Sequence, residues 1–359
     1  MTNYRAIPKI SLHDHLDGGL RPETIVEISD AIGHKLPTDN AKDLNQWFLD
    51  SCDSGSLVRY LETFEHTIAV MQSEENLARV AYEFALDLAK DGVIYGEIRW
   101  APEQHLRNGL SLDQAVEAVE AGLAKARKEV RAEGGYLATG QLITAMRQND
   151  KAQEIAELTV RHRNKGVVGF DYAGPEDGFS PARHAAAFTW LNEQLMPVTL
   201  HAGEAAGRDS IRAAIVDGRT LRLGHGVRII EDVFVDENDD NKYGFGEVAT
   251  WVLERGIALE LSPSSNLQTG AIPGIENPTM RDHPFDDLYR LGFNVTVNTD
   301  NRLMSGTTLT RELKLLSEAF GYDLEDIELF QLNAANAAFI DMDIRTEIIE
   351  RITDWFERQ

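Results

Sequence analysis

Short apolar runs rich in β-branched residues alternate along this chain with longer stretches in which apolar residues recur at helical spacing. The short runs predict buried strands, and the longer stretches predict amphipathic helices. Strands that alternate with helices form parallel sheets, because each helix returns the chain to the edge from which the next strand starts. The eight predicted strands are residues 7–15, 93–100, 137–147, 167–174, 197–204, 221–226, 257–262 and 294–300.

Eight strand–helix repeats within 359 residues predict an α/β fold, a closed (β/α)8 TIM barrel. An open doubly wound sheet is the alternative, but no Gly-x-Gly-x-x-Gly motif follows any of the eight runs. Residues 16–92 separate the first two strands and predict a helical insertion at the mouth of the barrel, with helices over 56–71 and 74–91. We therefore expect one barrel domain, 1–359, ending in an amphipathic C-terminal helix over 344–359.

The sequence also predicts where one further helix begins. Residues 111–133 have helical periodicity, and Ser111 is followed by Asp and Gln in the first turn. A serine hydroxyl at this position can accept a hydrogen bond from a free backbone N–H. The sequence therefore predicts that Ser111 is the N-cap of this helix.

Composition and charge exclude several classes of protein. The chain is 43% apolar and 26% charged, as globular proteins are, and its formal net charge is -24. This charge repels phosphate backbones and anionic lipid, so neither nucleic acid nor a membrane is an expected partner. The single cysteine, Cys52, excludes an internal disulfide and a thiolate-rich zinc site. With no signal-like stretch and no long apolar run, a cytoplasmic location is expected, whereas the oligomeric state stays open.

Histidine and acidic side chains lie at the carboxyl ends of four predicted strands. Active sites of (β/α)8 barrels are built at this end, and residues i and i+2 of a strand point to the same face. Burying several ionisable groups together is costly unless a metal or a partner compensates them. These residues are His13 and His15 on the first strand, His201 and Glu204 on the fifth, His225 on the sixth, and Asp300 on the eighth.

This set has the chemistry of a hydrolytic metal site. Three imidazoles and one carboxylate could bind a divalent ion such as zinc, which activates water near neutral pH. Glu204 is then free for general acid–base catalysis, and His225 could hold or deprotonate the attacking water. The fourth run ends "GFDYAG", without the lysine that often bridges two metals, so one metal per subunit is expected. The four candidate ligands are His13, His15, His201 and Asp300.

Six short motifs are distributed along most of the chain, between residues 8 and 301. They are "PKISLHDHLDGGLRPETI" at 8–25, "VVGFDYAG" at 167–174, "HAGE" at 201–204, "GHG" at 224–226, "LSPSSN" at 261–266 and "NTDN" at 298–301. With these motifs the chain resembles the adenosine deaminases of the metal-dependent amidohydrolase superfamily. The resemblance implies zinc-dependent deamination of adenosine and 2′-deoxyadenosine to inosine and 2′-deoxyinosine, with release of ammonia, in purine salvage. The implied zinc site is not of the cytidine-deaminase type, because that type needs more than one cysteine.

The resemblance also implies a role for each site residue. Glu204 gives a proton to purine N1, and His225 orients the water that attacks C6. Asp17 contacts the ribose 5′-hydroxyl, and the backbone at Gly174 meets purine N3. His13, His201 and Asp300 bind zinc, as does His15, which is also expected beside the substrate.

The chain departs from the family at one place. Where the family usually has Asp-Asp-Pro after Asn-Thr, this chain has Asp300-Asn301-Arg302. The second Asp of the family contacts purine N7, an acceptor, and must be protonated to do so. The amide of Asn301 is always a donor, so purine binding is expected to be retained. Arg302 is expected to add a positive charge near the rim of the site.

Two other functions stay open at this point. The chain could deaminate another 6-aminopurine, either adenine or an aminodeoxyfutalosine-like nucleoside, although Asp17 favours a nucleoside over free adenine. It could also be a catalytically silent purine-nucleoside-binding protein. The complete set of metal ligands together with Glu204 and His225 favours an enzyme.

Three further expectations concern charged and polar groups outside this set. Glu97 and Arg99 are predicted to form an ion pair inside the barrel, since they share one face of a strand. Residues 231–241 carry six acidic residues and predict a solvated loop, or alternatively a negative rim that discourages phosphorylated nucleotides. Four histidines in helices or loops are expected on the surface: His66, His105, His162 and His184.

Overall fold

The computed structural model describes residues 2–53, 57–236 and 239–359, and a parallel eight-stranded sheet forms its centre. The strands pair in the order β1-β2-β3-β4-β5-β6-β9-β10, and β7 and β8 form a separate antiparallel hairpin. The strands are β1 (Lys9–His15), β2 (Val93–Trp100), β3 (Ala138–Met146), β4 (Val167–Ala173), β5 (Val198–Ala202), β6 (Arg222–His225), β7 (Val233–Asp236), β8 (Asp239–Phe245), β9 (Ala258–Leu261) and β10 (Val295–Val297).

The first and last strands of the sheet meet and close the barrel. The backbone N–H of His15 donates to the carbonyl oxygen of Asp300 at 2.8 Å, and the N–H of Asp300 donates to the carbonyl oxygen of His13 at 2.9 Å. The side-chain oxygen of Asn298 accepts from the backbone N–H of Leu12 at 3.0 Å and of His13 at 3.1 Å. The predicted (β/α)8 barrel is thus confirmed. The sheet closes through backbone hydrogen bonds between the candidate ligands His13 and His15 of β1 and Asp300, which follows β10.

Helices surround the barrel and connect its strands. Ser111 caps α6 as predicted: its hydroxyl accepts from the N–H of Gln114, and the Gln114 side chain accepts from the N–H of Ser111. The described helices are α1 (Pro22–Ile32), α2 (Ala41–Cys52), α3 (Leu57–Glu62), α4 (Phe64–Val70), α5 (Glu74–Lys90), α6 (Leu112–Ala132), α7 (Ala152–Arg161), α8 (Ala185–Glu193), α9 (Arg208–Val216), α10 (Glu247–Glu254), α11 (Pro263–Thr269), α12 (Phe285–Arg290), α13 (Arg302–Ser305), α14 (Leu309–Phe320), α15 (Leu324–Ala337) and α16 (Met342–Phe356).

The long segment between β1 and β2 is helical, as predicted. The expected helix over 56–71 is divided at Thr63 into α3 and α4, where the Thr63 hydroxyl donates to the carbonyl oxygen of Tyr60 at 2.7 Å. Its predicted start, Ser56, lies outside the described residues. The last helix of the segment, α5, packs against β2 and α6, as a crossover helix of the barrel does.

The C-terminal helix α16 packs against the outside of the barrel. Its buried residues Ile348 and Ile352 belong to an apolar cluster with Ile10 and Leu12 of β1. Because side chains alternate along a strand, the same geometry that points Ile10 and Leu12 outward points His13 and His15 inward. The sequence prediction of a C-terminal helix against the barrel is confirmed.

The interior of the barrel contains paired charges, but not the predicted pair. Glu97 bonds to Arg222, whereas Arg99 bonds to Glu260 with an N–O distance of 2.6 Å. Glu260 also accepts from Arg222 at 2.7 Å, so one carboxylate joins both guanidinium groups. The predicted ion pair between Glu97 and Arg99 is wrong because partners on neighbouring and facing strands reach the barrel axis. A residue two positions away on the same strand lies roughly 6–7 Å along it.

The acidic segment 231–241 is not simply a loop. Residues 233–236 and 239–245 form the β7–β8 hairpin, and residues 237–238 lie outside the described part of the chain. Asp232 is buried, and its carboxylate accepts from the backbone N–H groups of Val248 at 3.0 Å and Ala249 at 2.9 Å. This acid therefore binds the start of α10 instead of facing solvent.

Two of the four expected surface histidines are buried. His105 is fully buried against Trp100 and its Nδ1 bonds the carbonyl oxygen of Met71, and His162 is 2% exposed with Asp113 as its partner. Each imidazole has a polar partner where a loop or a helix end meets the rest of the fold, which amphipathic periodicity does not reveal.

Among the described helices, none combines the length and the apolar character that a bilayer crossing requires.

Candidate active site

Ionisable side chains from four strand ends meet at one end of the barrel. His13, His201, His225 and Asp300 each offer a ligand atom, and these atoms all lie within 4.8 Å of one another. His15 adjoins this cluster, with its Nε2 3.2 Å from Nε2 of His201 and 3.3 Å from Oδ1 of Asp300. The structure therefore brings the four predicted ligands together, with His225 beside them.

The spacing of these atoms suits a tetrahedral metal ion. Ligand atoms of a zinc ion bound at about 2.0–2.1 Å lie about 3.3 Å apart along a tetrahedral edge. The distance from His13 Nε2 to Asp300 Oδ1 is likewise 3.3 Å. Nε2 of His13 is buried and has no hydrogen-bond partner within the described structure, which is costly unless something else binds it. Imidazole and carboxylate donors at these distances fit a zinc ion.

Carboxylates on the far side of the imidazoles fix their orientation. Nδ1 of His13 lies 3.0 Å from Glu260, and Nδ1 of His201 lies 3.2 Å from Asp171. Both carboxylates also contact Arg99, and the positive charge of Arg99 helps to hold the pKa of Glu260 well below its usual range despite burial. A carboxylate on one ring nitrogen leaves the other free to bind a metal. Glu260 is the next-to-last residue of β9, and a glutamate within an otherwise apolar strand was the available sequence signal.

His225 is oriented by a residue that the sequence analysis did not single out. Its Nδ1 accepts from the side-chain amide of Asn266 at 2.9 Å, and the amide oxygen of Asn266 lies 3.2 Å from Nε2 of His283. The other nitrogen of His225, Nε2, then lies 3.5 Å from Glu204. Burial lowers the pKa of His225 well below its usual value, which favours the neutral imidazole. Asn266 is the last residue of the "LSPSSN" motif, which was the available signal.

The backbone is unusual at two of these positions. His225 and Asp300 have φ of +63° and +60°, although neither is glycine. Such a conformation costs a non-glycine residue free energy, which the surrounding structure has to offset. At Asp300 the turn is held by Ser265, whose hydroxyl donates to Oδ2 at 2.6 Å. Burial opposes ionisation of Asp300, but the nearby imidazole of His13 still holds its pKa well below the usual value.

Glu204 has the properties of a proton donor. It is 4% exposed, and Oε1 is buried without a partner in the described structure. Burial raises the pKa of Glu204 well above its ordinary value, and the negative charges of Asp300 and Glu176 raise it further. A carboxyl group that holds its proton near neutral pH can act as a general acid.

The cavity next to Glu204 contains the predicted substrate-binding residues. Burial raises the pKa of Asp17 to about 7, and its Oδ1 lies 3.9 Å from Nδ1 of His15. Gly174 has φ of +109°, and a Cβ there would lie 2.5 Å from the side-chain oxygen of Gln148. Glycine thus leaves the backbone open to the cavity. The residues of this cavity from the predicted site are His15, Asp17, Gly174, His201, Glu204, His225, Asp300 and Asn301.

Helices of the insertion form the apolar wall of the same cavity. Leu57 and Leu61 come from α3, and Phe64 and Ile68 come from α4. No lysine or arginine is among the cavity-lining residues within the described part of the chain. The cavity is therefore apolar on one side and acidic on the other, which favours an uncharged ligand with hydrogen-bonding groups.

The prediction that Arg302 adds charge near the rim is wrong. Its guanidinium points away from the cavity, pairs with the buried Asp14 at 2.8 Å and lies 4.0 Å from the ring of Phe84. Asp14 is the residue between His13 and His15, and strand alternation turns its side chain to the outside of the barrel. Arg302 thus offsets a charge behind the site.

The barrel and its buried His/Asp cluster define a TIM-barrel protein with a candidate metal site, and comparison with known proteins identifies its family. The adenosine deaminase family matches residues 8–355. Adenosine deaminase 1 of Streptomyces coelicolor is 50% identical over 349 residues, covering 97% of this chain and 86% of the relative. Adenosine deaminase of Mycobacterium marinum is 50% identical over 349 residues, covering 97% and 94%.

A solved structure has the same fold at lower sequence identity. It is the adenine deaminase of Arthrobacter aurescens, with a TM-score of 0.82, 22% identity and coverage of 98% of this chain and 100% of that one. The match to the family and to the curated relatives is much stronger and nearly complete. This chain belongs to the adenosine deaminase family, whose members are metal-dependent enzymes, and its buried His/Asp group could bind the metal.

Proposed function

We propose that this enzyme deaminates adenosine and 2′-deoxyadenosine hydrolytically, giving inosine and 2′-deoxyinosine with release of ammonia. The observation that carries the proposal is the position of Glu204, a buried carboxyl with a raised pKa, in one cavity with the His/Asp cluster. A reaction that protonates a purine ring while water attacks it needs these two features side by side. The proposed setting is purine salvage in the cytoplasm.

One zinc ion per subunit is the proposed cofactor, with three imidazoles and one carboxylate as its ligands. Zinc, when bound, lowers the pKa of water so that it can attack near neutral pH. The distances of 3.2–3.3 Å among the ligand atoms support this assignment, as do the carboxylates behind His13 and His201. The proposed ligands are His13, His15, His201 and Asp300.

The remaining groups supply the proton transfers. Glu204 donates its proton to purine N1, which draws electrons from the ring and makes C6 electrophilic. His225, neutral and held at Nδ1 by Asn266, orients the attacking water through Nε2 on the side of Glu204. The attacking water gives up two protons in all: one replaces the proton that Glu204 donated, and the other goes to the 6-amino group, which leaves as ammonia.

Substrate recognition is proposed to use the polar groups of the cavity. The Asn301 amide donates to N7, the backbone at Gly174 meets N3, and Asp17 contacts the ribose 5′-hydroxyl. His15 lies between Asp17 and the cluster, so it contacts substrate as well as metal. The absence of lysine and arginine from the described cavity lining supports a neutral nucleoside over a nucleotide.

The test combines metal analysis with a substrate panel. Purified protein with quantified zinc should release ammonia from adenosine and 2′-deoxyadenosine, and far less from adenine or AMP. Glu204→Gln keeps the shape and hydrogen-bonding reach of the side chain but cannot supply an acidic proton. We expect it to bind zinc normally and to lose about 10²–10⁴-fold in kcat.

A buried glutamate outside the cavity provides the matched control. Glu312 is fully buried, and its carboxylate accepts from the backbone N–H of Ser264 at 3.1 Å. Glu312→Gln should lower thermal stability and leave turnover close to that of the parent enzyme. Failure of the zinc-loaded parent to turn over any of the four substrates would refute the proposed function, and loss of zinc in Glu204→Gln would refute the role of Glu204.

A further inference from the structure

Glu204 lies on a short loop after β5, and a single buried carboxylate binds the backbone of that loop. The N–H groups of four consecutive residues, 203–206, all donate to the side chain of Glu176. The N–O distances are 2.7 Å from residue 203 to Oε1, and 3.1, 2.7 and 3.0 Å from residues 204, 205 and 206 to Oε2. A carboxylate in a cradle of amides forms strong, charge-assisted hydrogen bonds.

The carboxylate of Glu176 is buried, and the loop amides are its hydrogen-bond partners. Glu176 is 5% exposed, and its four bonds to N–H groups all go to residues 203–206. The positive charge of the buried Arg147 also acts on Glu176. In return, the four N–H groups, which have no backbone carbonyl partners in the described structure, are satisfied by Glu176.

Two arginines hold the carbonyl groups of the same segment. Arg147 is buried and donates to the carbonyl oxygen of His201 at 2.5 Å, and Arg228 donates to the carbonyl oxygen of Ala205 at 2.7 Å. The amides of the loop bond Glu176 and the carbonyl oxygen of Ala205 bonds a guanidinium group, while the strand that leads into the loop is held at His201. Gly203, with φ of +75°, is the point at which the chain turns from the strand into this loop.

We propose that Glu176 is a positioning residue, which fixes the proton-donating carboxyl of Glu204 by holding the backbone of residues 203–206. This inference rests on the role of Glu204 proposed above. Without the carboxylate, the four amides must turn towards water, and the turn at Gly203 allows the loop to shift. A displacement of about 1 Å in a catalytic group can lower the rate by about 10²-fold.

A second acidic residue provides a matched control for a purely structural effect. Asp232 is also buried, at 8% exposure, and accepts from two consecutive backbone N–H groups at the start of α10. It does not line the cavity next to Glu204. Asp232→Asn therefore removes the same kind of contact from a segment without a proposed role in the reaction.

The experiment compares Glu176→Gln and Asp232→Asn for kcat, KM, bound zinc and Tm with adenosine as substrate. Both should lower Tm. Glu176→Gln should also lower kcat by about 10- to 100-fold, with KM and zinc content within about threefold of the parent. Asp232→Asn should keep kcat within about twofold, and Glu176→Asp, which retains the charge, should recover part of the kcat lost in Glu176→Gln. Equal kcat in Glu176→Gln and Asp232→Asn would overturn the proposal.

A measurement on the unaltered enzyme tests the same contact if the variants fold poorly. Hydrogen exchange should find the amides of residues 203–206 protected, although they lie in a loop. Exchange at the rate of open loop amides would overturn the proposal. This result is independent of Glu204, because protection concerns the loop alone, whereas activity of Glu204→Gln would refute the proposed proton donor.

Discussion

Asn301 lies beside Asp300 and lines the cavity. The amide can donate to a purine nitrogen at any pH, whereas a carboxyl group in its place has to keep a proton. Its Oδ1 is buried where a Cβ on Gly18 would lie only 2.0 Å away, so the absence of a side chain at Gly18 makes room for it. The sequence alone places Asn301 beside Asp300, and the structure adds that it faces the cavity.

Asn301→Ala removes the proposed donor to N7 and should lower kcat/KM for adenosine by about 5- to 10-fold, the cost of about one neutral hydrogen bond. Steady-state kinetics with adenosine is the measurement. Asn294→Ala is the control, since Asn294 lies at the amino end of β10 and bonds the carbonyl oxygen of Gly256 at 2.9 Å. Unchanged kcat/KM in Asn301→Ala would remove Asn301 from the binding site.

The neighbouring residue shows the limit of inference from adjacency in sequence. Arg302 follows Asn301 directly, yet its side chain lies behind the site against Asp14 and Phe84. The direction of a side chain after a strand end depends on the backbone turn, and here Asp300 has a left-handed conformation. The local sequence pattern does not predict this left-handed turn at Asp300.

At the scale of elements, helix starts are well determined by local chemistry. The reciprocal hydrogen bonds between Ser111 and Gln114 begin α6 where the sequence predicts. The hydrogen-bonding groups involved are at most three residues apart, so no tertiary contact is needed to place them. The β7–β8 hairpin, in contrast, cannot be predicted from local chemistry. Its strands are short and acidic, and only their pairing with each other defines them.

Ser111→Ala should reduce the free energy of unfolding by about 1 kcal/mol, since the backbone N–H of Gln114 loses the hydroxyl to which it donates. Chemical denaturation is the measurement, with Ser111→Asp as the variant that restores a cap. Turnover should be unchanged in both. A loss of activity without a loss of stability in Ser111→Ala would contradict a capping role.

For the whole molecule, the barrel axis is filled by a network of buried charges. Arg222 joins Glu97 of β2 to Glu260 of β9, and Glu260 continues through Arg99 to Asp171 of β4. The same carboxylates orient His13 and His201, so the network connects the packing of the barrel with the orientation of the site. The members come from four strands, which only the closed sheet brings together.

Arg222→Met removes the shared cation, which leaves Glu97 buried without a charged partner and Glu260 with Arg99 alone. We expect a loss of about 3–5 kcal/mol in the free energy of unfolding, measured by urea denaturation. The control is Arg161→Met, which breaks an exposed ion pair with Asp113 and should cost less than about 1 kcal/mol. A similar small loss in both variants would show that the interior pair contributes no more than a surface pair.

The eight barrel strands, the long helical insertion and the strand ends that carry the site can be identified from the sequence. These features follow from periodicity and spacing, which act between neighbours in the chain. The partners of Glu97, Arg99 and Arg302, and the contact of Glu176 with the loop of Glu204, are known only from the folded structure. Such partners depend on the twist and closure of the barrel, which bring together residues from different strands and loops.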